Sequence, residues 1–209
     1  PLATAAKAGN VEAVRFLLAD AGVPVDERNP VNGGTALHVS SRYNAGATAK
    51  ICDMLLDAGA DVNAVDNRAC TPIFECISSI YSQAPRALQV LIGHGASTDV
   101  VDCNGSTPLL AICSSYHSIC YQHAAVEELV RHSSAQARRA IDGAGRSAVD
   151  HLLAAAASGM YWGVGAGVVL QPWHRQAIAE LLSSCASVLP QNARCVLPIA
   201  VSHALPLAA

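Results

Sequence analysis

Apolar residues return along this chain at fixed intervals, and a hydroxyl residue returns just ahead of each set. When "GTALHVSS" from Gly34, "CTPIFECISS" from Cys70, "STPLLAICSS" from Ser106 and "RSAVDHLL" from Arg146 are set one under another, Leu37, Ile73 and Leu109 align. Thr35, Thr71, Thr107 and Ser147 fall in one column before them, at spacings of 36, 36 and 40. A Thr or Ser at a helix N-cap accepts a bond from an orphan backbone N–H, and Pro72 and Pro108 follow where a missing N–H costs nothing. Each member of the column therefore predicts a helix start. A second apolar set, Leu55 with Leu91 and Leu56 with Ile92, lies in a later segment that ends at Gly59 or Gly95, the residue type that closes a helix in the left-handed conformation. The predicted unit is helix, short connection, helix, glycine stop and turn. One such unit cannot cover its own apolar face, so the units must stack into an all-α solenoid.

These strings, with "GAD"- or "GAS"-type helix ends and the lead-ins "DCNG" at 102–105 and "DGAG" at 142–145, resemble ankyrin repeats. "LLDAGADVNAVDN" from Leu55 is the closest stretch. The resemblance is strongest over about 1–110, continues to about 150 and thins beyond. It implies units near 1–33, 34–69, 70–105, 106–145 and 146–186, with 187–209 as a capping helix or a partial sixth unit. The family's period is about 33, so each spacing of 36 implies roughly three extra residues. They fall between the two helices, at "SSRYNAGA", "SSIYSQAP" and "SSYHSICYQHAA", where they have room to lengthen the first helix by up to a turn. The opening "PLATAAKAGNVEAVRFLLADAG" matches the two helices without the leading Thr. The expectation is a chain that starts inside a repeat and is an excerpt of a longer protein.

Composition adds limits. With 52% hydrophobic and 14% charged residues, the 209-residue chain has enough apolar surface to bury a sizeable core. A net charge of −3, with Arg138–Arg139 as the one tight basic pair, leaves no electrostatic footprint for nucleic acid. The eight cysteines are scattered through an Ala-rich chain that opens without a secretion signal, which predicts reduced thiols and an intracellular, cytoplasmic protein.

Candidate chemistry is sparse. Cys113, His117 and Cys120 share a helix stripe with His123 three residues on, and S and N ligands suit zinc. A single straight helix cannot wrap four such ligands into a tetrahedron, while Cys52, Cys76 and Cys113 fill Ala-type or apolar slots of the repeat. No metal and no cofactor are therefore expected. His38 stands where the resembled family usually has His, and is read as a brace for the turn. Asp61, Asp66, Asp99, Asp102 and Asp142 all belong to turns, where Asp side chains bond nearby backbone. "GVGAG" at 163–167 follows Ala-rich sequence rather than a strand and lacks the Lys-Ser or Lys-Thr ending of a phosphate loop. The uncharged run Leu152–Leu170 contains four glycines and no dense Leu or Ile block, and is read as a helix with an insertion rather than a membrane span. Cys195 and the trailing "LPL" invite comparison with a suppressor-of-cytokine-signalling box, but Gln191 stands where its Leu is expected. No set of residues converges for catalysis, so no enzyme is expected here.

The resemblance implies a protein-interaction scaffold or adaptor that binds through its concave helix-and-turn face. The alternative is the regulatory or targeting region of a larger enzyme, channel or ubiquitin-ligase adaptor. The register assigns Asn67, Arg68, Cys103, Asn104 and Arg146 to turn tips. Arg42, Tyr43, Ser78, Ser79, Tyr81, Ser114, Ser115 and Tyr116 fall at first-helix ends. Three of the five tyrosines lie in this strip, and Tyr joins a large apolar area to a polar end, so Tyr43, Tyr81 and Tyr116 with Arg42 and Arg68 are expected to touch a protein partner.

Overall fold

The computed structural model describes residues 1–19, 21–43, 47–78, 84–115, 123–157 and 176–181. Among the described residues, helices run in the order α1 (Leu2–Ala8), α2 (Val11–Ala19), α3 (Ala36–Arg42), α4 (Thr48–Asp57), α5 (Pro72–Ile77), α6 (Ala84–Gly93), α7 (Pro108–Ser114), α8 (His123–His132), α9 (Ala135–Arg138) and α10 (Ala148–Ala157). Residues 176–181 are helical as well. Consecutive helices pair as α1 with α2, α3 with α4, α5 with α6 and α7 with α8. The first members form one row, α1–α3–α5–α7–α10, and the second members another, α2–α4–α6–α8. The apolar columns line the space between the rows: Leu2, Leu37, Ile73 and Leu109 are buried, as are Leu55 and Leu91. Cys52, Cys76 and Cys113 belong to the same core, which agrees with their reading as small hydrophobes. Burial pushes the Cys113 thiol up to about 12 and raises Cys52 and Cys76 as well.

The hydroxyl column does open helices. Thr35, Thr71 and Thr107 are the extended caps of α3, α5 and α7. Thr107 Oγ1 accepts from the Leu110 N–H at 3.3 Å, and Ser147 Oγ accepts from the Asp150 N–H at 3.3 Å. Thr71 departs from the expectation, because its Oγ1 is buried without a partner. The N–H of Phe74, the third helical residue, donates to the Thr71 backbone carbonyl at 2.9 Å instead.

The first helices are not lengthened. At six or seven residues, α3, α5 and α7 match α1, which precedes the first insertion. Serines stand at their ends: Ser41 Oγ donates to the Leu37 carbonyl at 2.7 Å, Ser78 Oγ to Phe74 at 2.8 Å and Ser114 Oγ to Ala111 at 3.0 Å. The Phe74 and Ala111 carbonyls accept the Ser78 and Ser115 N–H groups as well, at 3.1 and 3.2 Å, and Tyr43 and Ser115 leave the helix in extended conformation. The rest of the inserted segments, 44–46, 79–83 and 116–122, lie outside the described residues, as do 158–175 and 182–209.

The turns are built by one repeated device. Asp66 Oδ1 accepts the N–H groups of Arg68 and Cys70 at 2.8 and 2.9 Å. Asp102 Oδ1 does the same for Asn104 and Ser106, both at 2.9 Å, and Asp142 Oδ1 for Ala144 and Arg146 at 2.8 and 2.9 Å. Neighbouring turns are then joined by backbone, with the Asn67 N–H donating to the Asn32 carbonyl at 2.9 Å and the Cys103 N–H to Arg68 at 3.0 Å. Asp26 and Asp99 add links of the same kind, accepting from the Asp61 and Ser134 N–H groups at 3.1 and 3.0 Å.

Each of these turns closes through a left-handed residue: Gly33 (φ 72°), Ala69 (φ 56°), Gly105 (φ 74°) and Gly145 (φ 76°). Ala69 alone carries a Cβ there, which crowds the following carbonyl. Ala69→Gly is expected to raise stability by about 1 kcal/mol, since the strain relieved exceeds the entropy glycine adds to the unfolded chain. A urea melt of the variant checks the sign; a lower midpoint would show that Ala69 is unstrained.

Candidate partner-binding groove

A groove of about 260 Å³ opens on the face made by the first helices and the turns. One wall is α3, through His38, Val39 and Arg42 with the cap residue Tyr43; the others are the turn residues Asn32 and Gly34, the turn residues Asp66 and Arg68, and Glu75 of α5. Its floor is acidic and its rim basic. Glu75 is the one charged residue in the helix "PIFECI", and its side chain is 9% exposed. A carboxylate so shielded requires cationic partners. It accepts from Arg42 Nη1 at 3.0 Å on one oxygen and from Arg68 Nη2 on the other. Asp66, 3% exposed, accepts from Arg68 Nε at 3.2 Å. The side chains of Arg42 and Arg68 are 43% and 56% exposed. Tyr43 is half-buried beside Arg42, with Lys7 Nζ 5.0 Å from its ring centre and the Arg42 guanidinium 5.7 Å from it; both distances are within cation–π range.

His38 sets the back of the groove. Its Nδ1 accepts from the Thr35 N–H at 3.1 Å, which assigns the ring proton to Nε2, 3.0 Å from the Cys70 carbonyl. The imidazole thus ties the start of α3 to the turn ahead of α5. Burial lowers its pKa against the opposing pull of the Cys70 carbonyl, Asp66 and Glu75. The thiol of Cys70, in that turn, is pushed up to about 11, first by burial and then by Asp66.

Of the partner-facing residues expected from sequence, Arg42, Tyr43 and Arg68 come together here. The others spread along the stack. Asn67 joins two turns, its Nδ2 donating to the Val31 carbonyl at 3.3 Å. Cys103 and Asn104 are exposed at the next turn, where Asn104 Nδ2 donates to Asp102 Oδ2 at 3.2 Å. Arg146 is exposed and pairs with Asp142 at 2.9 Å. Ser78, Ser114 and Ser115 are exposed at the ends of α5 and α7. Ser79, Tyr81 and Tyr116 lie outside the described residues, so of the three tyrosines of the expected ridge Tyr43 is the one described. Sequence reasoning missed Glu75 and Lys7. The signal for Glu75 was a lone charge inside an otherwise apolar hexapeptide, one repeat away from Arg42.

Among the described residues, no group of three or more His, Cys, Asp or Glu side chains is placed to hold a metal ion. His117 and Cys120 of the Cys113 stripe lie outside them. No described helix is long and apolar enough to cross a membrane; the run to Leu170 passes outside the described residues after 157.

Two stacked helix rows joined through hydrogen-bonded turns, with a polar groove on the first-helix face, define a helical repeat module. Residues 1–66 match the family model for ankyrin repeats, three copies, and this match supports an ankyrin repeat family. Ankyrin repeats are generally protein–protein interaction modules.

Proposed function

We propose that this chain is a protein-binding scaffold or adaptor, and that the groove between α3, α5 and their turns is its docking surface. The observation behind this reading is the grouping of Arg42, Arg68 and Tyr43, three residues of interface-rich types, around a cavity whose walls are pinned by hydrogen bonds rather than left to rotamer freedom. Preorganised walls reduce the ordering cost of binding. A photo-crosslinking residue at Val39, inside the groove, tests it against one at Phe16, which is exposed on α2 in the other row. The expected result is one partner captured from Val39 and not from Phe16, followed by saturable binding of that purified partner. Equal capture from both positions, or capture from Phe16 alone, would place the docking surface elsewhere.

A further inference from the structure

The groove carries a charge pattern that specifies its occupant more closely. The chain as a whole has net charge −3, yet the solvent side of this site is basic. Its two acids are on the floor, 9% and 3% exposed, while Arg42, Arg68 and Lys7 keep much of their surface. An incoming group therefore meets guanidinium and ammonium before it meets carboxylate. The acids also do mechanical work, since Glu75 holds one guanidinium from the helix side and one from the turn side. Each guanidinium has five N–H donors; the ion pairs use Nη1 of Arg42 and Nε and Nη2 of Arg68, leaving donors on both for another acceptor. Planar forks fixed in this way suit carboxylates, which take two parallel N–H bonds. Lys7, on α1, extends the basic rim one unit further along the stack, past the Tyr43 ring. The spacing of cations along successive first helices favours a chain of acidic groups over a single small anion.

Resting on the docking surface proposed above, we infer that the groove takes an acidic segment of a protein partner, with Asp or Glu carboxylates bound across Arg42 and Arg68 and a further one near Lys7. Glu75 and Asp66 position the two arginines and do not themselves face the partner.

The test uses short fluorescein-labelled peptides of alternating Glu and Ser, Gln and Ser, and Lys and Ser, read by anisotropy against the whole chain. The Glu peptide is expected to bind, with affinity falling as NaCl rises from about 50 to about 300 mM, because exposed charges are screened over that range. Arg42→Gln and Arg68→Gln together are expected to weaken it roughly tenfold, while Arg15→Gln on α2 changes nothing. Should the arginine variants fail to fold, side-chain chemical shifts of Arg42, Tyr43 and Lys7 in the unmodified protein report the same contact. Equal binding of the Gln peptide, preference for a phosphoserine peptide over the Glu peptide, or shifts confined to other surfaces would each overturn the inference. A crosslinked partner that binds undiminished to the double arginine variant would refute the acidic occupant and leave the docking surface standing, whereas capture away from Val39 removes both.

Discussion

Leu109→Ala is expected to cost the stack about 2–5 kcal/mol, the range for deleting a fully buried leucine that leaves a cavity. Leu109 is 0% exposed in α7, a helix that packs on α5 before it and α10 after it. The hole therefore opens where two unit interfaces meet. In a linear array each unit is stabilised by its neighbours, so damage at an inner member removes support on both sides. Chemical denaturation measures the loss, with Leu109→Ile, a volume-conserving change, as the reference at under about 1.5 kcal/mol. A loss for Ala no larger than that for Ile would mean that the column has slack and that its repetition reflects only patterning.

The second large effect belongs to His38. Its removal orphans the Thr35 N–H in a buried site and takes one of two donors from the Cys70 carbonyl, which keeps the Asp66 N–H at 2.9 Å; at about 1–3 kcal/mol for an unsatisfied buried group, His38→Ala is expected to cost about 1–3 kcal/mol. It also carries a pH signature. The ordinary histidine value is 6.5, and burial holds the folded value below it. On acidification the unfolded chain takes up this proton first. His38 thus contributes stability that is present above about 6.5 and lost as pH falls through the folded value. Of the eight histidines, this one is isolated by subtracting the variant's stability profile from that of the unmodified chain between about pH 8 and pH 5. The difference should shrink toward acid; a flat difference would show that His38 acts by shape alone.

What could be read from sequence was whatever is decided locally and then repeated. A hydroxyl ahead of an apolar run, a proline after it and a glycine at the end need only their own backbone to act, so Thr35, Thr107, Gly59 and the Leu37–Ile73–Leu109 column reveal helices directly. The turn aspartates were legible for the same reason. The failures came where a residue's partner lies elsewhere in the chain or where side chains meet the end of a helix. The first helices end at Arg42, Ile77 and Ser114 although the inserted residues were expected to lengthen them, and Ser41, Ser78 and Ser114 bond last-turn carbonyls there. Thr71 shares the column but not the cap bond. Glu75 passed unnoticed because its meaning depends on Arg42, 33 positions away along the chain but adjacent across the stack. Of the expected partner strip, the part that converges does so around that missed acid.

The bonds between turns give the molecule two internal gauges. The amide hydrogens of Asn67 and Cys103 are held by carbonyls of the preceding turn, outside any helix. Such a hydrogen is released to solvent when adjacent units part, even while every helix remains wound. Their deuterium uptake thus times the sliding and gaping of one unit against the next, an event distinct from the melting that frees helical amides. A ligand bridging α3 and α5 would slow the Asn67 amide by holding the joint shut, and the lag between the two sites would tell how far along the array that grip is felt.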